Sequence, residues 1–351
     1  VSAPRDGILR AMDSPARPRR ASVVDVARVA GVGVGTVSNV LNRPEVVAPA
    51  TRARVLEAIE QLHFVRNGRA RELRAGRIST VGALVLDIRN PFFTDVARGV
   101  EDRLAKDDYT LMLASSDDDP ARERKYLRLL EEHGVRGLLV VPTSSDLEHL
   151  LAMQQRGVGI VLLDAPSPAP DLSAVAVDDE AGGALAASHL IEQGHRTIVF
   201  LNGPRAIRQC AGRRVGVDRA LVTAGLDPAV AVQELLLPTM NAEGGDTVMS
   251  SLLRAGGPPA AVLCVNDLVA VGVQRAVRRV GGTDLLRRVA LVGYDDIDIA
   301  AELAIPLTSV RQPTREMGWA AADILLRPDG AAEQVMFQPE LVVRESSAAP
   351  G

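Results

Sequence analysis

The sequence predicts a small all-α headpiece followed by an α/β body of two doubly wound parallel sheets. Three observations carry this. Two short helical patterns flank a glycine turn between Ser22 and Pro44. From Thr80 onward, apolar strand-like runs alternate with amphipathic helical ones. Charge also changes sign along the chain: residues 1–77 carry 14 arginines, no lysine and 7 carboxylates, a balance of +7, and the remainder stands at −11 within a total of −4. The 351 residues allow two or three domains.

From Ser22 the chain reads SVVDVARVAGVGVGTVSNVLNRP. Val23, Val26, Ala27 and Ala30 recur at helical spacing, and Gly31 suits a left-handed helix end. Val34, Val37, Val40 and Leu41 form the apolar stripe of a second helix, which Asn42-Arg43-Pro44 stops. Two helices joined by a glycine-containing turn predict a helix-turn-helix. The arginine-rich head on an acidic body predicts contact with phosphate. GVGVGT (31–36) superficially matches a dinucleotide loop, but the spacing is not G-x-G-x-x-G and a helix precedes it. A third helix is expected from about Pro49 to Leu62, with Val55, Ile59 and Leu62 on one face. Pro49 fits its first position and Ala48 is a poor N-cap.

Residues 67–77 read as a hinge. Asn67 can cap a short helix in which Ala70 and Leu73 share a face, and one or two turns are not stable alone in water. Residues 1–21 read as a disordered basic lead; they lack the apolar core of a secretory signal.

In the body, strands are expected at 81–88, 110–116, 137–142 and 159–165, then at 197–203, 232–238, 260–266 and 288–295. Helices lie between them, at about 91–106, 120–133, 146–156, 180–193, 208–224, 244–255 and 267–280. Two halves facing across a cleft place a ligand beyond the carboxyl ends of their strands. Polar residues gather at those ends: Asn90, Asp164, Asn202, Asn266 and Asp295. Segments 175–180, 306–313 and about 335–344 read as three passages between lobes, a hinge that can rock them. The expected division is an N-lobe of about 78–177 plus 309–328, a C-lobe of about 178–308 plus 329–346, and a tail of 347–351. Asp178 and Asp179 read as helix caps, Asp267 and Asp296 as structural neighbours of the cleft.

Composition excludes other classes. Aromatics are 3% against 47% apolar residues, so Leu, Val and Ala must fill the core. The 2 cysteines cannot frame a disulfide scaffold and fit a reducing, cytoplasmic setting. No run of 18 apolar residues predicts a membrane span. The 5 histidines lack metal spacing, and no G-x-S-x-G elbow or Cys/His pairing exists, so no metal, cofactor or enzymatic activity is expected.

VVDVARVAGVGVGTVSNVLNRP followed by TRARVLEAIEQLHFVRNGRARELRAG resembles the headpiece of the lactose/galactose repressor (LacI/GalR) family, and the resemblance runs from about Ser22 to Ser346. It implies a repressor that binds a palindromic double-stranded operator as a homodimer, with a periplasmic-binding-protein-like body that senses a small-molecule effector, a sugar or related metabolite, purines also being open. It implies further that Val34, Gly35 and Asn39 face base edges and that Thr36, Ser38 and Asn42 meet phosphates. Asn67, Ala70 and Leu73 fall on the hinge, whose leucine wedges into the minor groove. Phe93, Asp164, Arg213, Asn266, Asp295 and Gln312 match effector-contacting positions. An amide at Asn39 can pair with adenine, and carboxylates and guanidinium groups suit hydroxyl pairs. The chain departs from the family pattern at Gly33 for a capping Ser, Asn39 for a common Arg, and Met240 for an aromatic. A transport solute-binding protein, the other reading the body permits, is opposed by the DNA-type head. No heptad of leucines after Arg344 predicts a tetramer.

Overall fold

A computed structural model describes residues 21–64, 79–328 and 330–347. The chain divides into two compact units at 77/78. The expectations for residues 1–20, and for Asn67, Ala70 and Leu73, lie outside the described residues.

The headpiece holds α1 (Val23–Ala30), α2 (Val34–Asn42) and α3 (Pro49–Gln61). Ser22 and Asp25 close a reciprocal cap: the Ser22 hydroxyl accepts from the Asp25 amide at 3.3 Å, and the Ser22 amide donates to the Asp25 carboxylate at 2.9 Å. Gly31 ends α1 at φ 63°, the left-handed conformation that a Cβ would penalise. α1 and α2 meet at 104°, within the helix-turn-helix range. Val26, Ala27, Ala30, Val37, Val40, Val55 and Ala58 form a separate small core. Val34, expected on that apolar stripe, is 43% exposed on the outward side of α2 instead.

The body starts at β1 (Thr80–Val85), α4 (Pro91–Leu104), β2 (Thr110–Ser115), α5 (Pro120–Glu132), β3 (Gly137–Val140), α6 (Glu148–Gln155), β4 (Gly159–Leu163) and β5 (Ser173–Val177). It continues with α7 (Asp179–Glu192), β6 (Ile198–Asn202), α8 (Arg208–Thr223), a single turn α9 (Pro228–Ala231), β7 (Val232–Leu236), α10 (Ala242–Gly256) and β8 (Ala261–Cys264). It ends with α11 (Asp267–Leu286), β9 (Ala290–Asp295), α12 (Ile299–Glu302), β10 (Thr308–Arg311), α13 (Thr314–Leu326), β11 (Gln334–Phe337) and β12 (Glu340–Val342). Helix starts in the body are built by Asx caps: Asn90, Asp119, Asp178, Asp227, Asn241 and Asn266 each accept an amide of the following helix. Proline at the first turn of α4, α5 and α9 fixes φ where no amide partner is lost. α11 breaks at Gly281 and Gly282, where the sequence pattern ended it, and resumes for one short piece.

Each lobe is a sheet of six strands: β11-β5-β4-β3-β1-β2 and β12-β10-β9-β8-β6-β7. All pairings are parallel except β10–β12. Central strands such as β3 and β5 are buried throughout, as strands covered on both faces must be. The expected lobe division is corrected in two places. β10 pairs with β9, so residues 308–311 belong to the C-lobe, and β11 pairs with β5, so 334–337 complete the N-lobe. The passages therefore fall just after β5, after β10 and between β11 and β12. Ser347, assigned to a tail, is buried, with its hydroxyl 2.8 Å from His189 Nε2 and 2.6 Å from Thr308 Oγ1. Asp267 and Asp296 are structural, as read. Asp267 accepts from the Ile297 amide and the Ser309 hydroxyl; Asp296 pairs with Arg311 and Arg344.

Candidate functional site

On the headpiece, the outward side of α2 carries Val34, Gly35, Asn39 and Asn42, all exposed, with Thr36 and Ser38 half-buried beside them. The sequence makes this face because the valines at 37 and 40 are consumed by the small core. Gly33 opens α2 in an extended conformation with no side-chain cap, leaving the first amides of the helix to other partners. The Asn42 amide donates to the Ser38 carbonyl at 2.8 Å and lies 3.2 Å from its hydroxyl, so these two residues act as one unit on the last turn. Hydrogen bonds from the Ser22 hydroxyl and backbone, helped by Arg28, hold the Asp25 carboxyl down at about 2, and α1 keeps its negative N-terminal charge.

In the body, a cavity of about 230 Å3 opens where the strands of both lobes end. The N-lobe supplies Phe93, Asp117, Asp118 and Asp164; the C-lobe supplies Arg213, Met240, Asn266 and Asp295. Asp117, Asp118, Asp164 and Asp295 all have positive φ, from 51° to 103°. Aspartate tolerates this region better than most residues, and such strain concentrates at ligand sites.

Two residue pairs join the lobes across this cavity. The Gln209 amide donates to the Asp164 carbonyl at 2.6 Å and to its carboxylate at 2.9 Å. The Asn90 amide donates to Asp295 Oδ2 at 3.1 Å. Asp164 Oδ1 is buried without a donor. Burial pushes the Asp164 carboxyl well above its ordinary value, with the charge of Asp179 acting in the same direction. Burial also lifts Asp295 to about 6, against the opposing pull of Arg213.

Arg213 is a buried hub. Its Nε donates to Asp179 Oδ1 at 2.9 Å, its Nη1 to the Val265 carbonyl at 2.5 Å, and its guanidinium carbon lies 3.5 Å from the Tyr294 ring centre. Burial alone would weaken its hold on the proton; Asp179, then Tyr294, reverse this and keep it charged. Phe93 packs edge-on to Phe92 with ring centres 5.0 Å apart.

Of the six residues matched to effector contacts, Phe93, Asp164, Arg213, Asn266 and Asp295 line the cavity. Gln312 does not: it stands behind Asp295, to which its amide donates at 2.9 Å, so it positions that carboxylate rather than touching the cavity. The Asn266 side chain is committed at both ends, accepting from the Val269 amide and donating to the Met240 carbonyl. Asp178 caps α7, as expected, but Asp179 is the partner of Arg213 and not a cap. Sequence reading also missed Gln209 as a lobe-bridging amide and Asp117–Asp118 as part of the wall. A run of aspartates before Pro120 at the end of β2 was the available signal for the latter. Among the described residues no group of His, Cys, Asp and Glu is arranged to hold a metal ion, and no single helix is long and apolar enough to cross a membrane.

Comparison with known proteins agrees with both regions. Residues 22–67 match the family described as bacterial regulatory proteins, lacI family, and residues 78–336 match periplasmic binding proteins and sugar binding domain of LacI family. The chain is 34% identical over 335 residues to the HTH-type transcriptional repressor PurR of Aliivibrio fischeri, covering 93% of this chain and 98% of that protein. Among solved structures it is similar to the transcriptional regulator CelR in complex with cellobiose, at 31% identity and TM-score 0.65 over 93% of this chain and all of that one. It is also similar to the lac repressor dimer bound to operator and the anti-inducer ONPF, at 25% identity and TM-score 0.75 over 94% of this chain and all of that one. A helix-turn-helix head, a two-lobed body and family matches spanning both establish that the chain belongs to the LacI family, and it is accordingly a dimeric, sequence-specific DNA-binding regulator under small-molecule control and not an enzyme.

Proposed function

We propose that the chain is a repressor of a palindromic operator and that its effector is a sugar-type polyhydroxy metabolite held between the lobes. The observation that carries this is the pair of cross-lobe bonds on the cavity wall, Gln209 to Asp164 and Asn90 to Asp295. A ligand touching both walls binds closed lobes better than open ones, and only such a difference can shift a conformational equilibrium. In the family, the lac repressor was solved on its operator with an anti-inducer and CelR with cellobiose, which supports both halves of the reading. On DNA, Asn39 reads a base edge, Val34 meets a thymine methyl and Gly35 permits close approach, while Thr36, Ser38 and Asn42 position α2 on phosphate. Leu73 of each copy serves as the minor-groove wedge, with Asn67 and Ala70 on the same segment.

The test is selection of duplexes from a random library by the purified dimer. An inverted repeat should be enriched, and its affinity should change when a cavity ligand is added. Binding that never exceeds that to random DNA, with or without sugars, nucleosides or purines, rejects the reading.

A further inference from the structure

We infer that the effector carries a protonated nitrogen: a small polyhydroxy amine of the amino-sugar or amino-polyol class. This rests on the cavity being the effector site, and it follows from an account of charge and hydrogen bonding on the wall. Five carboxylates line the cavity, those of Asp87, Asp117, Asp118, Asp164 and Asp295, against the guanidinium groups of Arg89 and Arg213. Both cations are already engaged, Arg89 with Asp87 at 2.9 Å and Arg213 with Asp179 at 2.9 Å. Asp117 is paired with Arg122 at 2.5 Å. Asp118, Asp164 and Asp295 therefore have no ion-pair partner among the described residues.

Three of the four side-chain amides of the lining are spent as well. Asn90 donates to Asp295, Gln209 to Asp164 and Asn266 to the Met240 carbonyl. The wall thus presents acceptors, one of them the unpartnered and buried Asp164 Oδ1, against few donors: the amides of Asn90, Gln209 and Asn266 are engaged, and Asn241, whose oxygen caps α10, brings the one further side-chain amide of the lining. A ligand must bring donors, and positive charge above all, because a carboxylate removed from water is stabilised chiefly by a cation. A phosphate or carboxylate on the ligand would instead meet three carboxyl groups with no cation beside them and would oppose their ionisation further. Phe93 offers a ring against which an ammonium or the apolar face of a sugar ring can lie. The volume, about 230 Å3, lies below the roughly 300–1,000 Å3 of drug-sized sites, so one ring rather than two is accommodated.

Isothermal titration of the full-length protein with glucosamine, galactosamine and mannosamine, each beside its parent hexose and the hexose 6-phosphate, tests this. At least one amine should bind about tenfold or more tighter than its parent, a gap of about 1.4 kcal/mol. Binding should weaken with salt, release protons, and tighten as pH rises through about 6, where Asp295 ionises. The 6-phosphates should not bind. Asp164→Asn should erase the preference for the amine, and Asp118→Asn, at a site with less internal bonding, should reduce it without disturbing the fold. A parent hexose binding as tightly as its amine, or no amine binding at millimolar concentration, overturns the inference. If a hexose or its phosphate binds and Asp164→Asn removes that binding, the cavity remains the effector site and only the charge assignment falls. A ligand bound equally by the parent protein and by Asp164→Asn places the site elsewhere and removes both.

Discussion

Asp295 ends β9 with φ at 103°, shares its two oxygens between Asn90 and Gln312, and titrates near 6 because burial disfavours its charge. An ordinary aspartate, like the one in the unfolded chain, titrates near 3.8. The folded state therefore holds a proton that the unfolded state releases between these values. The contribution to stability is full below about 4 and is lost as pH rises through about 6, a change of ~3 kcal/mol. Urea unfolding of the parent protein and of Asp295→Asn between these limits should diverge by a slope of this sign. Equal slopes would remove the assignment. Arg213→Ala should cost about 3–5 kcal/mol in the same assay, because Asp179 is left buried and unpaired. The surviving folded protein should bind DNA but no longer respond to effector. On the head, Asn39→Ala should relax selection at one base pair per half-site by about 1–3 kcal/mol, leaving its neighbours unchanged in a binding-site selection.

At the scale of elements, the caps and crossings decide the outcome. Ser22→Ala removes one half of the reciprocal cap on α1 and should lower headpiece stability by about 1 kcal/mol, read from thermal unfolding by circular dichroism. α7 and α8 cross so closely that a Cβ on Gly216 would lie 2.0 Å from the Glu180 carbonyl. Gly216→Ala should therefore force the helices apart, cost about 1–3 kcal/mol and displace Arg213, which sits one turn away on α8. Most of these elements were legible in the sequence, because capping residues, prolines and glycines punctuate the apolar periodicity directly. Periodicity alone puts Val34 on the buried stripe, because a helix of nine residues gives too few turns to fix the edge of its stripe, while the family resemblance has it facing outward. The pairing of Asp179 with Arg213 and of Gln312 with Asp295 was not legible in the sequence, for a different reason. Position in the chain shows that a polar side chain stands near a strand end, but not whether a neighbouring side chain already uses it.

At the scale of the whole molecule, the sequence showed two halves and three passages but misplaced the last exchange of strands. Local pattern cannot say which sheet a short run such as 334–337 joins; pairing with β5 decides that, and the partner is more than 150 residues earlier. The function also belongs to this scale. If Leu73 is the proposed minor-groove wedge, Leu73→Ala should weaken operator binding strongly in a gel-shift titration while leaving effector affinity intact; unchanged operator affinity would remove the wedge.

The interlaced lobes also bear on how the protein is made. The headpiece has its own core and is complete by residue 64. The N-lobe waits for α13 and β11, which leave the ribosome only after the whole C-lobe apart from its last strand and terminal turn has been synthesised. A nonsense codon just after Arg311 would therefore release a finished reading head attached to an unfinished sensor.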